Sequence, residues 1–416
     1  MKVYVFYSVI FPLTVAERMK RLYNINQKNK FKEIHTMLIK NGTLYDAINR
    51  EPYVADIRVA DGKIAQIGGG LLPKENEEII DASGLRVYPG FIDAHCHIGL
   101  DNYGMGQVGW DYNEMGDYAA PHLRGIDSFN PHELSVGMAL EAGVTTVCTG
   151  PGSANVLGGT FLAVKTKGNC VDDMIVKEPV AMKCAFGENP KRCYKDKGIS
   201  ARMTTAAKLR EMLFKAREYM EKKEAAGDDR SKRPGFDMKM EALIPVLKGD
   251  MPLKAHAHRA DDICTAIRIA KEFGVKMTIE HCTEGHLIVN ELLRVGFPVA
   301  VGPTLTGASK LELINKTFDT PGILAKAGLD VSIITDAPVI PEEYLPLCAG
   351  LAVNAGMDPF DALRAITINP ARHIGIADRV GSLEVGKDAD IVITDGDAMV
   401  SNTKVVAVIL DGERVK

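Results

Sequence analysis

The stretch Val87-Tyr-Pro-Gly-Phe-Ile-Asp-Ala-His-Cys-His-Ile98 constrains this chain more than any other. It reads as an apolar strand that ends in two histidines one residue apart. Side chains alternate faces along a strand, so His95 and His97 point the same way and can grip one ion. Two buried structural histidines would give the same spacing, so the choice rests on what the rest of the chain places beside them.

Downstream, short β-rich runs alternate with helical patterns. Strands are expected at 144–148, 160–164, 179–185, 252–256, 275–279, 298–301 and 331–335, which with the opening strand makes eight. A helix is expected over 204–226, with Leu209, Met212, Leu213, Ala216 and Met220 as its core stripe and Gly227 as its stop. Alternation of this kind predicts an α/β fold, a TIM-like (β/α)8 barrel with a parallel sheet and helical crossovers. Such barrels carry their chemistry at the C-terminal ends of the strands. His95 and His97 end the first strand, Lys183 lies late in the fourth and His256 ends the fifth; His281 follows the sixth and Asp336 the eighth. Polar groups gathered at one rim favour a metal site over ordinary buried histidines.

The two ends of the chain share a different texture. Residues 37–42 and 56–67 read as short strands punctuated by Asn41-Gly42 and Asp61-Gly62 turns, and 388–394 and 405–412 repeat the pattern. The expected organisation is an N-terminal extension (1–36), a composite β-sandwich (37–88 and 380–416) and the barrel with its metal site (89–379). The apolar run at 3–16 has the outline of a secretory signal, but it is too short to span a bilayer and a basic stretch follows it. Eight scattered cysteines without CxxC pairs fit a reducing, cytoplasmic setting better than an exported one. A formal charge of -4, with no Lys/Arg block, argues against nucleic acid or membrane as partner and for a small-molecule substrate. Homo-oligomerisation is left open.

Several pieces together resemble the amidohydrolase superfamily: Pro89-Gly-Phe-Ile-Asp-Ala-His-Cys-His97, His256-Ala-His258, Ile279-Glu-His281, Thr335-Asp336, Thr367-Ile-Asn-Pro-Ala371 and Gly381-Ser-Leu-Glu-Val-Gly-Lys-Asp-Ala-Asp390. The resemblance is to the branch with imidazolonepropionase-like amidohydrolases and metal-dependent Xaa-Pro dipeptidases. It implies one or two divalent ions per chain, zinc being the expected one, and hydrolysis of an amide or cyclic amide C–N bond by a hydroxide generated on the metal. By that resemblance His95, His97 and Asp336 hold one ion, and His256 and His281 the other. Lys183 bridges the two as a carbamate, with Glu188 the alternative ligand from the same region. Asp336 shuttles the proton. His258 either touches the substrate or is a loop histidine with no catalytic part, and Tyr103, His122, Arg192 and Arg259 are candidate pocket residues. Gly150-Pro-Gly-Ser153 and Gly302-Pro-Thr-Leu-Thr-Gly307 match no phosphate-loop fingerprint and read as active-site turns. The competing functions are an Xaa-Pro-type dipeptidase, a cyclic amidine deaminase and, from another class, a barrel retained as a non-catalytic scaffold.

Overall fold

Both ends of the chain contribute to one sheet while the middle builds another. The computed structural model describes residues 36–103 and 105–416, so the extension read at 1–36, with its apolar run, lies outside it except for Thr36. The chain first lays down β1 (Met37–Leu44), β2 (Tyr53–Ala60), β3 (Lys63–Gly68), β4 (Glu78–Asp81) and β5 (Arg86–Pro89). Asp61 and Gly62 have φ of 52° and 76°, the positive pair that a tight hairpin between β2 and β3 demands. Asn41-Gly42 behaves differently from the turn expected there. The strand runs on through it as a bulge, and β1 pairs with β4 before the irregularity and with β5 after it.

The second sheet follows in sequential order: β6 (Phe91–Cys96), β7 (Val144–Thr149), β8 (Leu157–Lys165), β9 (Ile175–Ala185), β10 (Leu253–Ala257), β11 (Met277–His281), β12 (Val299–Val301) and β13 (Val331–Ile333). These are the eight strands read from the sequence. The expected all-parallel arrangement fails at β8, which runs antiparallel to both β7 and β9. The reason is chain length: a parallel crossover needs roughly a dozen residues or more, whereas residues 150–156 and 166–174 are all that flank β8. Between β13 and β6 the barrel nearly closes. The Asp93 carboxylate accepts from Thr335 N (2.8 Å) and Thr335 Oγ1 (2.7 Å), and His97 N donates to Ala337 O (2.7 Å).

Residues 391–414 return to the first sheet as β14 (Ile391–Thr394), β15 (Val405–Leu410) and β16 (Glu413–Arg414), giving the order β16-β15-β14-β5-β1-β2-β3 with β4 beside β1. One core serves both ends of the chain, with Ile39, Ile57 and Val59 packed with Leu383, Ile391 and Ile409. The barrel lumen holds Ile92, Ala94, Phe161, Ala163, Ala181 and Ala300, and the helix Ile368–Ile374 seals its N-terminal mouth with Ala371 and Ile374. The long helix spans Arg202–Ala226 and stops at Gly227 (φ 51°). Among the described residues no helix is long and apolar enough to cross a membrane.

Barrel and sheet are joined by charge. Lys165, from β8, is buried against Asp390, Asp388 (3.2 Å) and Asp411 (3.3 Å). Removing Lys165 leaves the buried Asp390 carboxylate without its cation, so Lys165→Met should cost about 3 kcal/mol in urea denaturation. Lys167→Met, which breaks a largely exposed pair with Glu413, should stay within about 0.5 kcal/mol of the parent.

Candidate metal centre

Strand alternation determines which side chains reach the lumen. On β10, Leu253, Ala255 and Ala257 pack outward into the core, so Lys254, His256 and His258 share the inward face. On β11 the same rule turns Thr278 and Glu280 inward and would send His281 outward. Left-handed backbone at His281 (φ 72°) and Cys282 (φ 43°) overrides it and brings the imidazole back to the mouth. Asp336 sits in the same unusual conformation (φ 55°). Each such residue costs about 1–3 kcal/mol, and strain of this kind concentrates at functional sites. On β6 an irregular register between Asp93 and Cys96 rephases the strand, so His95 and His97 both meet Phe161 in the lumen while Cys96 joins the outer core.

Nε2 of His97 lies 3.2 Å from Asp336 Oδ1, and Nε2 of His95 lies 3.7 Å from the same oxygen. One ligand atom each from His95, His281 and Asp336 falls within 4.8 Å of the others, and the same holds for His256, His258 and His281. His281 thus joins two clusters. Backbone carbonyls orient the rings: His97 Nδ1 bonds Gly150 O and His281 Nδ1 bonds Gly302 O, both at 2.8 Å. Nδ1 of His258 bonds Thr283 Oγ1 (2.7 Å). Both ring nitrogens of His256 and Nε2 of His281 are buried with no hydrogen-bond partner among the described residues.

Burial, with repulsion from Lys183, keeps His95 well below the ordinary histidine range; burial and the neighbouring imidazoles do the same for His256 and His258. His281 falls to about 4, chiefly through burial. Neutral imidazoles carry the free lone pairs that a metal requires. Burial would raise the Asp336 carboxyl, but His281, His97 and His95 hold it far below its usual value, so it is ionised. Lys183 is fully buried with Nζ 3.0 Å from His95 Nε2, and desolvation lowers it to about 8. Glu188, the alternative to Lys183, is engaged by Glu312. Its backbone N–H and carboxylate exchange hydrogen bonds with Glu312.

A cavity of about 340 Å³ opens beside Asp336 and His258, walled by Pro303, Thr306, Lys310, Leu313 and Val339. Of the glycine-rich turns, 302–307 therefore both holds His281 and lines the cavity. Tyr103, His122, Arg192 and Arg259 are not part of that lining; Tyr103 and Arg192 are exposed, and Arg259 pairs with Asp261. Sequence reasoning missed Glu280, Lys254, His373 and Glu312. The alternation on β10 and β11 was the available signal for the first two. His373 and Glu312 reach the interior from a helix and a loop, where no strand period applies.

A profile of the amidohydrolase family matches residues 86–415. A solved amidohydrolase from Thermotoga maritima is 42% identical, with a TM-score of 0.88 over 91% of this chain and 99% of that one. Amidohydrolase tasK of Hapsidospora irregularis is 27% identical over 86% of this chain, and the imidazolonepropionase of Fusobacterium nucleatum is 25% identical over 91% of this chain and 92% of its own. The chain spans only 40% of tasK, and 56% and 57% of two adenine deaminases that it also matches.

The Asp93 carboxylate ties the strand of His95 to the residue before Asp336, accepting from His95 N as well as from Thr335. Asp93→Asn puts an amide donor where only acceptors fit and should lower the stability of the metal-free protein by about 1–3 kcal/mol in chemical denaturation.

Proposed function

Because the chain belongs to the amidohydrolase family, we propose that it is a metal-dependent hydrolase that cleaves a C–N bond of a small amide or cyclic amide. The observation that carries this reading is the set of buried, unpartnered ring nitrogens on His256 and His281, facing an ionised Asp336 and the His95–His97 pair. Buried polar atoms without partners call for an explanation, and a divalent ion supplies one. Imidazole-rich donors with one carboxylate suit zinc.

In this reading His95, His97 and Asp336 would hold one ion and His256 and His281 the other. Lys183 is the bridge. Its lowered basicity makes the neutral amine accessible near neutral pH, as uptake of carbon dioxide to give an anionic carbamate requires. The ions, when bound, supply an activated water and polarise the substrate carbonyl. Asp336, ionised beside the imidazoles, would take up a proton from the attacking water and pass it to the departing nitrogen. His258 lines the cavity next to Asp336 and meets the carbonyl substituents. The apolar walls at Pro303, Leu313 and Val339 exclude bulk water from the leaving group.

A second reading is a dipeptidase or N-acyl amino acid hydrolase, in which Lys310 on the cavity wall would exchange its present partners, Glu312 (3.0 Å) and Asn189 (3.1 Å), for a substrate carboxylate. A non-catalytic scaffold is disfavoured, since the full donor set is retained.

Zinc-loaded Asp336→Asn should keep its metal, measured by elemental analysis, and lose about a hundred- to ten-thousand-fold in turnover across a panel of cyclic amides, N-acyl amino acids and dipeptides. Turnover near that of the parent would remove the proton-transfer role, and a parent protein that takes up no divalent ion would remove the metal reading.

A further inference from the structure

Below the candidate metal centre the barrel interior carries a polar column that none of the proposed chemistry uses. Glu280 is fully buried at its middle, and four donors surround its carboxylate. Oε2 takes His95 Nδ1 (2.8 Å) and Lys254 Nζ (2.9 Å); Oε1 takes His373 Nε2 (2.9 Å) and Thr278 Oγ1 (2.5 Å). Lys254, itself buried, also donates to Ala94 O (2.8 Å) on the strand that carries His95. His373 belongs to the helix Ile368–Ile374, which seals the opposite mouth, and it lines a cavity of about 330 Å³ there with Lys177, Lys276 and Arg372. A chain of direct hydrogen bonds therefore runs from that far mouth, through Glu280, to His95.

The donors determine what Glu280 can do. Lys254 has only protons to give, and both carboxylate oxygens are taken up as acceptors. His95 must then carry its proton on Nδ1, which leaves the Nε2 lone pair turned toward Lys183 and Asp336.

We propose that Glu280, held in place by Lys254 and His373, is the positioning residue of the metal centre. It locks the tautomer and ring orientation of His95, and His373 extends that control to the helix at the other end of the barrel. This rests on the metal reading above and adds a prediction that reading does not make: a side chain at the far mouth governs how tightly the ion is held. Carboxylates behind metal-bound imidazoles typically contribute ten- to a hundredfold in metal affinity.

The test compares His373→Leu, which removes the donor to Glu280, with His373→Gln, which keeps an N–H donor, and with Glu280→Gln. Zinc release from the loaded full-length protein into a chelator should be about tenfold faster in His373→Leu and Glu280→Gln, and His373→Gln should stay near the parent rate. Thermal unfolding of the metal-free proteins separates this from a packing effect, which would lower the melting temperature of both His373 variants without splitting their release rates. Ring nitrogen NMR of the metal-free parent, labelled at histidine, needs no variant to fold: His95 should be protonated at Nδ1. Parent-like release from both His373→Leu and Glu280→Gln, or an Nε2-protonated His95, overturns the proposal alone. A parent protein that binds neither zinc nor cobalt overturns it together with the metal reading.

Discussion

A carboxylate sealed inside a barrel is expensive, costing several kcal/mol unless cations and donors replace its water. Glu280 meets that demand with Lys254, His373 and Thr278, and burial that would otherwise neutralise it is outweighed by Lys254 and His373. Much of the architecture follows from satisfying this one group. β10 has to place Lys254 on its inward face, one position pair below His256, and the segment after β13 has to fold back as a helix whose last turn brings His373 to the lumen. Phe161 fills the remaining space, with the ammonium groups of Lys183 and Lys254 each 5.4 Å from its ring centre. The same packing keeps water from the base of the site.

At the rim the problem is the opposite one, for the side chains that gather there must leave the strand period. His281, Cys282 and Asp336 hold left-handed backbone there, a cost that rigid surroundings have to offset. Asp93 supplies part of that rigidity by tying β6 to the backbone just before Asp336. It lies beside Glu342, whose carboxyl is pushed well above its usual range by burial and by Asp93 itself, so the two acids do not both carry charge. A neutral Glu342 lets the clamp sit in the dry seam between the first and last barrel strands.

The sequence made the strands, the rim histidines and the shared end sheet legible because each has a local signature: period two, turn residues at 61–62, and histidines at strand ends. The antiparallel β8 was legible too, from loops too short for a parallel crossover, had length been weighed against texture. Asn41-Gly42 misled because the same dipeptide that closes a hairpin also makes a bulge, and only the partner strands decide between them. The inward turn of His281 contradicts simple alternation and depends on two backbone angles that side-chain type does not encode. Where Lys183 sits was not legible until the fourth strand's register against β10 was known, with Lys183 opposite Lys254. Which pocket residues matter was least legible, since the cavity is walled by a loop after β12 rather than by the charged residues nearest the other strand ends.

That loop couples the cavity wall to the orientation of His281. Gly302 orients His281 through its carbonyl, and the next residues, Pro303 to Gly307, wall the cavity. Its backbone has φ 151°, and a Cβ placed there would meet Ile334 O at 2.0 Å, so no other residue fits without moving β13. Gly150 plays the same part for His97, where a Cβ would meet Phe161 at 2.6 Å. The loop can therefore vary in the side chains that face the cavity but not in the point where it leaves the barrel. From Thr304 onward the cavity wall can change shape while the imidazoles stay fixed, which separates the lining of the cavity from the arrangement of the histidines.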